Sequence, residues 1–314
     1  MSRTPPISPR RWLEGFWPSA RIVGLWPGVK AFAGATVLAD RTSLTDTIDR
    51  LGSLEVRFAR SAAEIRAAQR IRYHVFYREG SARPDVATLL LRRDVDAFDA
   101  ICDHLLVLDH AGPSLTPKVV GTYRLLRQEV AARRGGFYSI GEFDLGTLIG
   151  RHPGLRFLEL GRSCVLPPYR NKRTIELLWH GIGAYTSQHH PDVMIGCASL
   201  EGTDPERLAL QLSFLHHFAR APEPWRVRAL AERYIEMNRM PADAIDKKSA
   251  LRELPPLVKA YLRLGAHIGE GAVIDQQFGT TDVLIVLRME KVRQRYFTHF
   301  GVTGVAAPDQ EAAE

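Results

Sequence analysis

Apolar and polar residues follow two different periods along this chain, and the switches between them mark its elements. Over residues 61–78 (SAAEIRAAQRIRYHVFYR) the spacing places Ile65, Ala68, Ile71, Arg72, Val75 and Phe76 on one side of a helix with Ser61 as its N-cap. Residues 104–109 and 119–126 read as two strands joined through a Gly-Pro-Ser loop. Further along, 157–166 reads as a strand, 173–189 as a helix and 193–200 as a strand. Asp204-Pro205 has the form of a helix start, a capping residue followed by proline at the first helical position. Residues 255–264 read as a helix, 272–276 as extended chain and 281–289 as a buried strand. Hairpins mixed with crossovers predict an α/β fold around a mixed, largely antiparallel sheet. No GxGxxG stretch is present, which argues against a dinucleotide enzyme.

The first 50 residues break this pattern. Pro5, Pro6, Pro9, Pro18 and Pro27 prevent a long helix, while Trp12, Phe16, Trp17 and Trp26 sit among Arg10, Arg11, Arg21 and Lys30. Such a segment is either a lipid-headgroup arm, where indole and guanidinium groups are both favoured, or an arm packed on the domain. The expected division is therefore a basic Trp/Pro-rich arm over 1–54, a main domain over 55–302 and a disordered tail over 303–314. With 314 residues, 45% of them hydrophobic, the chain can bury a sizeable core. Cys102, Cys164 and Cys197 are widely spaced and show no CxxC, which predicts reduced thiols and no metal site. No apolar run approaches the roughly 20 residues that span a bilayer, and no secretory signal is apparent, so a cytoplasmic protein is expected. The net charge of +7 favours an acidic partner. The basic residues are dispersed and no recognition motif appears, so nucleic acid is not expected.

Four clusters place charge within otherwise apolar elements, which is costly unless the charge is paired or used. One comprises Arg72 and Phe76, the acidic loop with Asp94, Asp96 and Asp99, and then Asp103-His104; a second is Arg124 within VVGTYRLL. The third, FLELGRSCVLPPYRNKRT, carries Glu159, Arg162 and Ser163 into the basic turn Arg170, Asn171, Lys172, Arg173 and Thr174. That turn is either a solvated surface turn or a phosphate-holding loop at a helix mouth. Strict alternation would put Glu159 and Ser163 on one face and Arg162 on the other, unless a bulge near Gly161 intervenes. The fourth holds Lys259, Tyr261 and Arg263, followed by Asp275 and Thr280-Thr281-Asp282.

In this order the clusters resemble the GNAT-like N-acyltransferases that make lyso-ornithine lipid. The resemblance rests on Cys102–Val107, GTYRLL at 121–126, GFYS and EFDL between Gly136 and Leu145, LELGRSCV at 158–165, LPPLVKAYLRLGA at 254–266 and DQQFGTTDVLIVL at 275–287. The chain is also similar to the acyl-homoserine-lactone synthases, whose polar set falls on Arg72, Phe76, Asp96, Asp99, Arg124, Glu159 and Arg162; its C-terminal half departs from them. The resemblance implies a GNAT-like fold with a helical C-terminal elaboration, and transfer of a 3-hydroxyacyl group from acyl carrier protein to the α-amino group of L-ornithine. It implies Glu159, Arg162 and Ser163 as the catalytic set, with Glu159 removing the amine proton. Asp96 and Asp99 would take the substrate's ammonium groups, Arg72, Arg124 or Arg162 its carboxylate, and Phe76 and His104 would complete the substrate site. Arg170–Thr174 would hold the phosphopantetheine phosphate. No cofactor would be bound beyond the acyl-carrier thioester, and an anionic membrane surface would receive the amphiphilic product. The alternatives are an acyltransferase for another amine, as in lactone synthesis, or a non-catalytic module that binds acyl carrier protein or lipid.

Overall fold

The computed structural model describes Leu44, residues 46–290 and Val292. Residues 1–43 of the arm and the 303–314 tail lie outside the described residues. Ten strands form one sheet: β1 (Asp49–Leu51), β2 (Leu54–Phe58), β3 (Asp103–Asp109), β4 (Lys118–Arg127), β5 (Phe157–Val165), β6 (Val193–Glu201), β7 (Tyr234–Ile235), β8 (His267–Ile268), β9 (Ala272–Asp275) and β10 (Thr280–Arg288). Their order is β1-β2-β3-β4-β5-β6-β10-β9-β7, with β8 also on β10. Every pairing is antiparallel except that of β5 with β6, as the mixture of hairpins and crossovers predicts. The end of the expected arm, Asp49–Leu51 and Leu54, is thus part of the sheet.

The helices are α1 (Ala62–Tyr73), α2 (Val86–Leu91), α3 (Gln128–Arg133), α4 (Leu145–Arg151), α5 (Lys172–His189), α6 (Ala209–Phe218), α7 (Lys247–Glu253) and α8 (Pro256–Arg263). Alternation along β3 assigns the two faces. Leu105 and Val107 pack with Leu177, Leu178 and Ile182 of α5, whereas Leu106 and Leu108 pack with Ala68 and Ile71 of α1. Helix α1 begins with the cap its sequence predicts, Ser61 accepting from the Glu64 N–H, and α5 begins one residue before the expected start, with Asn171 accepting from the Thr174 N–H. Asp204-Pro205 does not open a helix. Its carboxylate accepts from the Glu206 N–H within a turn, and α6 starts only at Ala209.

Two local features position the site. The expected 61–78 helix changes to a π-helix over His74–Glu79, so the Gly80 N–H reaches back to the Val75 carbonyl. Strands β5 and β6, meanwhile, pair only at Phe157–Val193, Leu158–Met194 and Glu159–Ile195 and then part. Backbones approach very closely at the fork: a Cβ on Gly196 would lie 2.3 Å from the Leu160 carbonyl oxygen. Gly196→Ala should therefore wedge the fork, with a stability loss of about 1–3 kcal/mol in chemical denaturation.

Candidate active site

A cavity of about 440 Å³ opens where β5 and β6 diverge. Beyond Glu159 the β5 backbone no longer pairs with β6, and the Val165 carbonyl at the far end accepts from Arg170 Nε (2.9 Å). Phe76, Arg124, Glu159, Arg162 and Ser163 all line this cavity. The parity conflict among the β5 residues is resolved by a bulge: the β4–β5 register shifts between Thr122 and Arg124, and Arg162 adopts φ +50°. Glu159 and Arg162 consequently reach the same cavity.

Glu159 is buried and oriented from one side. Its Oε1 accepts from the Ser139 N–H (2.8 Å) and hydroxyl (2.6 Å), and its Oε2 from the Tyr138 N–H (2.7 Å). Burial raises its pKa, an effect the Ser139 hydrogen bonds only partly offset. With one donor on it, Oε2 keeps an acceptor position open.

Beside it lies a buried network of three arginines and three aspartates. Arg72 donates to Asp94 (2.7 Å) and, through two nitrogens, to Asp99 (2.7 and 2.9 Å). Arg124 donates to Asp96 (2.6 Å) and Asp99 (3.2 Å), and Arg162 to Asp96 (3.2 Å), with Asp94 3.3 Å from its Nε. His104 bonds the Asp99 carbonyl oxygen through Nε2 (3.0 Å) and stands away from the cavity. Burial would raise the pKa of Asp99, but the Arg72 guanidinium overrides it and holds the carboxyl far below its usual range.

The structure pairs most of the expected substrate contacts with one another. Asp96 and Asp99 face arginines rather than the cavity, and Arg72 is engaged by Asp94 and Asp99 with 1% of its surface exposed. Of the two arginines that line the cavity, Arg162 is the more exposed, 13% against 4% for Arg124, and it lies against the rings of Tyr138 and Phe278, each 4.7 Å away. The basic turn is also divided. Thr174 is fully buried, Asn171 caps α5 and Arg170 pairs with Glu79, whereas Lys172 and Arg173 are exposed.

Several cavity residues were not assigned a role from sequence. Asp275 and Asp282 line the wall, in the polar stretch that the sequence singles out, together with Cys197 and Ser199. Glu142 lies behind them, its Oε2 accepting from the Cys197 thiol (3.2 Å). Donor atoms of Glu142, Cys197 and Asp282 all fall within 4.8 Å of one another, close enough for one cation. Burial, with repulsion from Asp282, pushes Glu142 up to about 7; burial likewise raises Asp282 and Cys197. Glu142 has a cationic neighbour in Arg233 (3.4 Å), whereas Asp282 receives hydroxyl hydrogen bonds, including one from Thr280 (2.9 Å). Nothing in the spacing of Glu142, Cys197 and Asp282 foretells that they meet.

Breaking the network should be expensive. Asp99→Asn leaves Arg72 and Arg124 under-compensated and should cost about 3–5 kcal/mol in chemical denaturation. Because folding lowers the Asp99 pKa, its contribution is complete above the unfolded value of about 3.9 and is lost as pH falls towards the folded value. The acid limb of a stability–pH profile should therefore be shallower in Asp99→Asn than in the unchanged chain.

Residues 71–180 match the family model described as an acetyltransferase (GNAT) domain. An L-ornithine N(alpha)-acyltransferase of Rhizobium meliloti (strain 1021) is 55% identical over 258 residues, spanning 82% of this chain and 87% of that protein. The protein of the same name from Rhodobacter capsulatus is 41% identical over 245 residues, 78% of this chain and 93% of its own length. Among solved structures, the acyl-homoserine-lactone synthase LasI is 11% identical with a TM-score of 0.43, covering 81% of this chain and 98% of that one. The chain is an acyltransferase with the GNAT fold and belongs to the L-ornithine N(alpha)-acyltransferase family.

Proposed function

We propose that this enzyme transfers a 3-hydroxyacyl group from acyl carrier protein to the α-amino group of L-ornithine, producing lyso-ornithine lipid. The observation that carries the reading is the meeting, in one cavity at the β5–β6 fork, of a buried carboxylate with a raised pKa and an accessible guanidinium. Ornithine enters with its carboxylate on Arg162, at the Nη1 edge that neither Asp94 nor Asp96 contacts. Its α-ammonium faces Oε2 of Glu159, and its side-chain ammonium is drawn to Asp275 and Asp282. The name shared by the relatives supports this acceptor.

Glu159 takes a proton from the α-ammonium, and the free amine attacks the thioester carbonyl. Backbone N–H groups of β5 beyond Glu159 stabilise the developing oxyanion. Collapse of the intermediate breaks the C–S bond, forms the amide and releases the pantetheine thiol after proton uptake. Ser163 lines the path of the thioester arm. The arm's phosphate lies near Lys172 and Arg173 at the start of α5, where exposed positive charge and unpaired N–H groups coincide. The +7 balance favours encounter with an acidic carrier protein. No described helix is long and apolar enough to cross a membrane, which suits an enzyme working at the inner membrane surface and handing its product to anionic lipid.

Glu159→Gln should lower kcat by about 10²–10⁴-fold, measured as ornithine-dependent thiol release, while the protein remains folded. In the unchanged enzyme kcat/KM should rise with pH through a pKa above the ordinary glutamate range, because the base acts only when ionised and burial raises its pKa. Asp282→Asn should raise KM for ornithine about tenfold with little change in KM for the thioester. Arg173→Ala should do the reverse, raising KM for acyl carrier protein alone.

A further inference from the structure

The segment between the π-helix and the arginine–aspartate network exposes an unusual amount of apolar surface. Val86, Leu89, Leu90, Leu91 and Val95 are 75%, 56%, 77%, 50% and 42% exposed. They are five of the nine strongly exposed large apolar side chains among the described residues. Four lie in α2, where Thr88 is the buried residue. At about 100° per residue, the outward side chains from Val86 to Leu91 cover an arc of about 200°. That arc is wider than the single stripe a helix lays into a protein groove, and it suits a protrusion surrounded by hydrocarbon.

Charge gives the protrusion a polar collar. Arg78, Arg83 and Arg92 are exposed and form no ion pair with any described residue. Long arginine stems reach a headgroup layer while neighbouring apolar side chains enter the acyl region. The protrusion is also fixed to the cavity rim. The Arg83 N–H bonds the Gln277 carbonyl (2.7 Å), the Ser81 hydroxyl bonds the Phe278 carbonyl (3.1 Å), and Asp94 beyond it joins the network. Ser81 and Phe278 both line the cavity.

We infer that Val86–Leu91 with its arginine collar is a membrane-docking element that seats the mouth of the cavity on an anionic lipid surface. An acylated product leaving the cavity would then meet the bilayer without crossing bulk water. The inference rests on the proposed function only for the amphiphilic nature of that product; the docking surface stands on its own exposure and charge.

The full chain should co-sediment with phosphatidylglycerol–phosphatidylcholine vesicles and less with phosphatidylcholine alone. Replacing Leu89→Asp together with Leu90→Asp should reduce partitioning about tenfold or more. Leu90→Trp should increase it, a readout that survives even if the double variant folds poorly. Arg83→Glu with Arg92→Glu should remove the preference for phosphatidylglycerol. Thiol release from a short soluble thioester with ornithine should match the unchanged chain in the Leu variants. Vesicle binding unaffected by the Leu changes, or absent from the unchanged chain, would overturn the inference. So would a Leu89→Asp, Leu90→Asp protein that binds vesicles normally but loses turnover with acyl carrier protein, since the surface would then dock a protein. Failure of ornithine acylation with vesicle binding behaving as described would instead overturn the proposed function alone.

Discussion

Three guanidinium groups and three carboxylates share one desolvated volume where α1, the 94–99 loop, β4 and β5 meet. None of these charges is tolerable alone at such depth, so the elements carrying them must arrive together. Arg72 ties the helix to the loop, Arg124 ties β4 to the same loop, and Arg162 brings in β5 at its bulge. The network therefore does for the site what apolar packing does for the rest of the domain: it fixes where Arg162 stands. Asp94 and Asp96 on one side and two aromatic rings about it hold Arg162 at the cavity wall.

The second constraint is the fork. A sheet that stayed paired between β5 and β6 would have no room for a thioester and no unspent backbone donors. Parting the strands just after Glu159 places the carboxylate at the apex, and the Tyr138–Ser139 turn holds it there through three donors. Desolvation then raises its pKa. Across the cavity the same desolvation raises Asp282, with repulsion from Asp275, and raises Glu142 behind it, with repulsion from Asp282.

Much of this was legible in the order of residues. The apolar runs that read as β3, β4, β5 and β10, and the Ser61 cap of α1, are local signals, and the structure follows them. The stretches LELGRSCV and GTYRLL lie in the strands read from the sequence, and the bulge near Gly161 that could set strict alternation aside is where Glu159 and Arg162 come to one cavity. The charge pairings were not legible. Asp96 and Arg162 are 66 positions apart, and carboxylate spacing does not disclose whether arginine or substrate will neutralise it. The π-helix was hidden because Val75 and Phe76 satisfy a regular helical stripe equally well. Residues 86–91 escaped because VATLLL has no polar face, and the turn at Asp204-Pro205 shows that a cap with proline can close locally without a helix behind it.

The central claim is that the cavity distinguishes ornithine by both of its ends, the carboxylate at Arg162 and the side-chain ammonium at the Asp275–Asp282 wall. Its most direct test is thiol release from 3-hydroxyacyl-acyl carrier protein, with product masses, using ornithine, norvaline and putrescine as competing acceptors. The account predicts efficient acylation of ornithine alone, with norvaline impaired by loss of the side-chain ammonium and putrescine by loss of the carboxylate. Equal use of norvaline and ornithine would contradict it.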